Sequence, residues 1–348
     1  MDWPRIVTVD RHGSFRKMLE LPSRHAWLAV GLFACVYGLR TIDEAAFRII
    51  SAAPFVMNLP PESQYLYGSP LTFWLGSYYQ HHGLDYAWAF ATVNGLGLTL
   101  FFVSLYALLR RECHDDWSVA ATILFTSPLL LIVLSWIGKS DAFLLGFYFL
   151  FTLSDSRVTQ AILCGLMALC HRELAIILLC VDLCLQRRCW QAIGTGLLFG
   201  ETAVYVYTQL LLSPAPVSRA IYAAGQLSQL WRIFWSHPAL HLMATFGPFW
   251  VFALSRVFVK PVRALAFGVS FGLALLSYDF TRIFAIISAP LLLEISREVV
   301  AEAADTGAIR IGGRRVGIHL LWPLMLGQFQ YTGMRMLLPQ GVRMALKL

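Results

Sequence analysis

Charge is scarce in this chain. Of its 348 residues 14% are Asp, Glu, Lys or Arg, where a soluble domain carries about 25%. Repeats, low-complexity runs and Ser/Lys-rich linkers are missing too, so no second domain is marked off. The seven cysteines, Cys35, Cys113, Cys164, Cys170, Cys180, Cys184 and Cys189, form no C-x-x-C pair and lie mostly in apolar segments. That usage excludes a disulfide framework and a zinc knuckle, and leaves cysteine as a small hydrophobe. Neither a G-x-S-x-G elbow nor H-E-x-x-H occurs, which removes the common serine-hydrolase and zinc-protease readings.

What the chain holds instead is apolar side chain: 58% of residues are hydrophobic and the mean hydropathy is +0.63. A globule of this size cannot bury that much, which points to an all-α, polytopic transmembrane bundle of ten or eleven spans. A bilayer core of ~30 Å takes about 20 helical residues. The apolar runs are 23–39, 86–109, 117–137, 142–153, 158–170, 174–185, 190–213, 240–257, 264–278 and 283–295. A last stretch over 316–329 either crosses or lies at the interface. The first run follows a basic arm (residues 1–22) and reads as a retained signal-anchor, because bulky Phe33 spoils the cleavage box that Leu32–Cys35 resembles. The whole of 1–348 is expected to be one membrane domain.

The net charge of +7 fits the positive-inside rule better than nucleic acid, which is not an expected partner. With the N-terminus in the cytoplasm, inner segments carry the basic arm, Arg110-Arg111, Arg157, Arg187-Arg188, Arg256/Lys260/Arg263 and Arg297/Arg310/Arg314/Arg315. These are well over half of the 27 Lys and Arg. The outer loops carry seven, Arg40, Arg48, Lys139, Arg172, Arg219, Arg232 and Arg282, and the tail cations Arg335, Arg343 and Lys347 break the pattern if the last stretch crosses. The outer segments are 40–85 and 214–239, both rich in aromatics. Ser69-Pro70 reads as a helix start opening Leu71–Gln80, Asp43–Ile50 as a short helix, and Ala220–His237 as an amphipathic helix on the bilayer.

Charge near membrane depth is costly, so each instance is a functional hypothesis. Four clusters fall on the outer side: Asp43-Glu44, Lys139-Ser140-Asp141, His171-Arg172-Glu173 and Asp279-Phe280-Thr281-Arg282. The last three sit in hinges too short to leave the interface. Blander roles exist for each: a Lys139–Asp141 turn pair, an Arg172–Glu173 loop pair, a snorkelling Arg282, a solvated helix start at Asp43. Asp182 and Glu201, inside apolar runs, are expected to bond neighbouring helices. Together the outer clusters have the makings of a pocket in which a carboxylate deprotonates a hydroxyl. Lys139, His171, Arg172 and Arg282 would hold a phosphate there. At a membrane interface that phosphate belongs to a lipid.

These features resemble the GT-C superfamily of integral membrane glycosyltransferases. The likeness rests on Asp43-Glu44 after the first span and on the long outer loop with Gln64-Tyr65-Leu66-Tyr67-Gly68-Ser69-Pro70-Leu71. The hinges Lys139-Ser140-Asp141, His171-Arg172-Glu173 and Asp279–Arg282 add to it. The resemblance implies an inverting transfer from a polyprenyl-phosphate sugar donor on the outer face of a bacterial cytoplasmic membrane. It implies Asp43 as general base with Glu44 assisting, and Lys139, His171, Arg172 and Arg282 neutralising the leaving phosphate. Asp141, Glu173, Asp279 and Tyr65 would support them. A lipid-linked or small glycan acceptor is expected, since no soluble C-terminal domain is evident. Membrane lipids are the surrounding partners. No cofactor is called for, and although carboxylates could take a divalent metal, no ligand spacing asks for one. Adjacent His81-His82 cannot readily share an ion and read as interfacial. The rivals are a transporter or flippase, which broken helices and midplane charges would favour, and a non-catalytic subunit of a glycan-assembly complex.

Overall fold

The computed structural model describes residues 47–48, 51, 69–135, 137–186, 190–207, 231–232, 234–277, 279–306, 308–311, 314–317, 330–332 and 335–337. The expected first span, and all but the last few residues of the Ala220–His237 segment, lie outside them. Among the described residues thirteen α-helices are given: α1 Pro70–His81, α2 Tyr86–Cys113, α3 Trp117–Phe125, α4 Pro128–Ser135, α5 Asp141–Leu153, α6 Arg157–Cys170, α7 Arg172–Leu185, α8 Trp190–Tyr205, α9 Pro238–Phe246, α10 Phe249–Val257, α11 Pro261–Leu275, α12 Phe280–Ile287 and α13 Ala289–Thr306. Two short antiparallel ribbons, which an all-α expectation did not include, pair β1 Ala308–Ile311 with β2 Arg314–Gly317 and β3 Gln330–Thr332 with β4 Arg335–Leu337.

Among the described residues one helix, the 28-residue α2, is long and apolar enough to cross a membrane. α5, α6 and α11 are apolar but shorter; the 13 residues of α5 rise only about 20 Å. Helix starts follow local chemistry. Pro opens α1, α9 and α11, where its missing N–H costs nothing. Asp85 caps α2 by accepting from Trp88 N at 2.9 Å. Ser69 precedes α1 as expected, yet its hydroxyl makes no cap bond.

Three of the expected continuous runs are broken. Pro128 has no N–H for the carbonyl of Leu124, and Ser127 supplies one instead: its backbone N–H lies 3.0 Å from that oxygen and its hydroxyl also donates to it. The second break, between α9 and α10, turns at Gly247 with φ +62°, a backbone angle that suits glycine. The two breaks meet, Phe249 N donating to Thr126 O at 3.1 Å. Backbone groups released by one break are thus satisfied by the other, as a dry interior requires. The third break, at Ser288, separates α12 from α13.

At the centre lies α4, every residue of which is buried; a helix apolar all round has no other place. Elsewhere glycine sets the distances. α6 and α8 cross so closely that a Cβ on Gly196 would stand 2.1 Å from Ala161 O, and one on Gly200 2.8 Å from Gly165 O. α5 also sits closely on α2, where Gly146 faces Leu100 and Gly97 faces Phe143.

Candidate functional site

The hinge Gly138–Asp141 is built by three contacts from three parts of the chain. Gly138, at φ +112°, takes a backbone angle that side chains resist, and its N–H donates to Asn94 Oδ1 of α2 at 2.8 Å. Ser140 donates its hydroxyl to the carbonyl of Cys170, the last residue of α6. Asp141, the first residue of α5, receives a two-pronged bond from Arg282 of α12: Nε to Oδ2 at 2.6 Å and Nη2 to Oδ1 at 2.7 Å. Both partners are buried, 1% and 5% exposed. Fork-to-carboxylate geometry of this kind is the strongest form of side-chain hydrogen bond. Asp279, one turn before Arg282, lies 3.6 Å from its Nη1. Lys139 is half-exposed at the tip of the turn. Asp141 is therefore paired across the molecule with Arg282, and Arg282 is turned inward rather than snorkelling.

The neighbouring hinge holds the second group. His171 separates α6 from α7 and accepts weakly from Leu174 N through Nδ1 at 3.5 Å, so it serves as the α7 cap. The same nitrogen is 3.5 Å from Glu173. Arg172 does not pair with Glu173. Its Nε reaches Glu201 of α8 at 2.6 Å while the side chain stays about half exposed. The expected helix-to-helix bond of Glu201 is thus present. So is that of Asp182, which accepts from Tyr148 Oη at 2.8 Å with both residues fully buried.

Asp43, Glu44 and Tyr65 lie outside the described residues. The nearest described part of their loop is helical Phe47-Arg48, with Ser51. Phe47 is buried edge-on against Phe90 of α2 (centroids 5.0 Å apart) and over Gly76 of α1. Arg48 lies 4.9 Å over the Tyr86 ring, a cation–π contact. One turn along α2 from Phe90 comes Asn94, the residue that holds Gly138. Phe47 and the Gly138 hinge therefore attach to the same stretch of α2. From there the contacts run on through Ser140 to the His171 hinge, and through Asp141 to Arg282.

Sequence reading missed Phe47, one apolar residue among many, and Asn94, a lone uncharged polar side chain within the apolar α2 that a search for charge passes over. It also missed the ring of His241, fully buried and edge-on to Phe280 at 5.2 Å. A second charged network escaped it as well, at the far end of α13. Arg263, 1% exposed, bonds Glu294 at 2.6 Å and also Glu298, while Arg256 bonds Glu302 at 2.6 Å. Arg297 of α13 pairs with Glu112 of α2. Glu112 and Asn94 are 18 residues apart on α2, or about 27 Å at 1.5 Å per residue, so this network is remote from the hinges. A small cavity beside it is lined by Leu108, Glu112, Cys113, Ser296 and Arg297 and has no link to the hinge group. Among the described residues no cluster of three His, Cys, Asp or Glu could hold a metal.

Searches of family models, curated proteins and solved structures return no match to this chain.

Proposed function

We propose that the chain is a polytopic membrane glycosyltransferase whose site is the hinge end of the bundle, with a polyprenyl-phosphate sugar as donor. One observation carries the reading. Charged hinges from three regions of the sequence, together with the docked end of the first outer loop, are joined by direct contacts at one end of an apolar helical body. The helices α2 to α13 are then the crossings, with the breaks kept inside the protein.

In this reading Asp43 removes the proton of the acceptor hydroxyl, with Glu44 beside it. The acceptor oxygen forms a bond to the anomeric carbon as the carbon–oxygen bond to phosphate breaks. The electron pair leaves with the polyprenyl phosphate, and the anomeric configuration inverts. Lys139 and Arg172, both with exposed surface, face that phosphate, and His171 can donate to it. Charge fixed in place before the reaction commonly does more to lower a barrier than any other single effect. Arg282 serves chiefly by holding Asp141 and, through it, the turn that carries Lys139. Glu173, Asp279 and Tyr65 complete the surroundings.

The test is release of free polyprenyl phosphate by detergent-purified protein from a panel of polyprenyl-phosphate sugars. Asp43→Asn should abolish release while purification and folding are unchanged; equal release by both proteins would sink the assignment. A second reading, transport or flipping of a glycolipid, has one observation in its favour, the meeting of two broken helices at Thr126 and Phe249. Transporters place substrate sites at such breaks. Here the junction is lined by Ser and Thr, and the charges lie elsewhere. Substrate flux into proteoliposomes without any release would favour it.

A further inference from the structure

Three of the four residues in the turn Gly138–Asp141 are fixed by partners on three different helices: Gly138 by Asn94, Ser140 by Cys170 and Asp141 by Arg282. Lys139 is the fourth, and Asn94 holds the residue just before it. Gly138 is buried, and a buried N–H left without an acceptor is costly. Its φ of +112° belongs to neither a helix nor a strand. The acceptor therefore has to come from a side chain, and Asn94 supplies it.

Asn94 is itself held. It is 8% exposed, and its Nδ2 donates to the carbonyl of Phe90, one turn back, at 2.8 Å. An amide carries its donor and its acceptor on different arms, so that bond turns Oδ1 toward Gly138. Aspartate would set an oxygen against the Phe90 carbonyl and bury a charge; an apolar side chain would leave Gly138 without an acceptor. The same Phe90 takes Phe47 edge-on, and Phe47 follows Asp43 by four positions in the sequence. One turn of α2 thus fixes both Phe47 and the residue before Lys139. We infer, on the proposed reading of the hinges, that Asn94 is a positioning residue: by holding Gly138 it sets where the Lys139 ammonium meets the departing phosphate. A misplacement of about 1 Å is enough to cost a reaction roughly a hundredfold in rate.

A double-mutant cycle tests this, scored by release of polyprenyl phosphate from detergent-purified full-length protein, with kcat and KM for the donor measured separately. Asn94→Leu, which keeps the branched shape, should lower kcat by about 10- to 100-fold. KM should change less, because charge on the phosphate grows as its bond to carbon breaks. Asn94→Leu combined with Lys139→Gln should be no slower than Lys139→Gln alone, since a misplaced ammonium and a missing one are the same loss. Losses that multiply, as a merely structural role would give, overturn the proposal. So does Asn94→Leu or Lys139→Gln working as fast as wild type. Asn94→Ala takes the place of Asn94→Leu if that variant does not purify folded; if neither folds, Asn94 is a folding residue and the proposal is overturned. Failure of the underlying reading looks different: wild type itself then releases no polyprenyl phosphate, or Asp43→Asn releases it equally, and the proposal falls with it.

Discussion

Asp141 and Arg282 are each ordinary in the sequence: an acid at a helix start, a base in a short hinge. Their meaning comes from being buried against each other. Removing one partner leaves an uncompensated charge in a dry place, which costs about 3–5 kcal/mol, whereas replacing both by apolar residues of similar volume is often neutral. Asp141→Leu and Arg282→Met should therefore each lower the unfolding midpoint in detergent substantially. The double variant should recover most of that loss. Additive losses in the cycle would mean that the two side chains do not act as a pair. The clusters themselves were legible in the sequence, because charge in an apolar run stands out. Their pairing was not. Lys139 is two residues from Asp141, but the true partner is 141 residues away, and no local rule reaches that far.

At the level of elements, hydrophobic runs located the helices well. The ends of α5, α6 and α7 fall within a few residues of the expected runs. Breaks were harder to see. A proline such as Pro128 is visible, but whether the helix kinks or stops depends on what satisfies the freed carbonyl, here Ser127, while Phe249 reaches the neighbouring carbonyl of Thr126. α13 runs to Thr306, beyond the expected apolar run, because Glu294, Glu298 and Glu302 are paired along its side. The α6–α8 contact makes a sharp prediction. Gly196→Leu would drive a side chain into the backbone of Ala161, and overpacking of this kind costs about 1–3 kcal/mol or more. Gly194, on the same helix, has nothing within 4 Å of a built Cβ. Gly194→Leu should purify and melt like wild type while Gly196→Leu does not; similar melting of the two would refute the close crossing.

For the whole molecule, the two ribbons report on how the chain runs. β1 touches α10 and α13, the second halves of the two broken pairs α9–α10 and α12–α13, whereas β3 touches their first halves, α9 and α12. The hinge Asp279–Arg282 begins α12, so β3 lies toward the hinge end and β1 away from it. A reporter fused after residue 317 should then be read on the cytoplasmic side and one fused after residue 337 on the outer side. Equal readings would deny that the chain changes sides between the ribbons.

The close crossing of α6 and α8 has a consequence in time. Gly165 and Gly196 are separated by a single intervening helix, so during synthesis this contact can form while α9 to α13 do not yet exist. Short-range contacts form fast and long-range ones late. The bond between Asp141 and Arg282 must wait until α12 has emerged. A chain halted before α12 would thus contain a finished helical frame without the join at the hinges, and the charged end of the molecule would be the last part to mature.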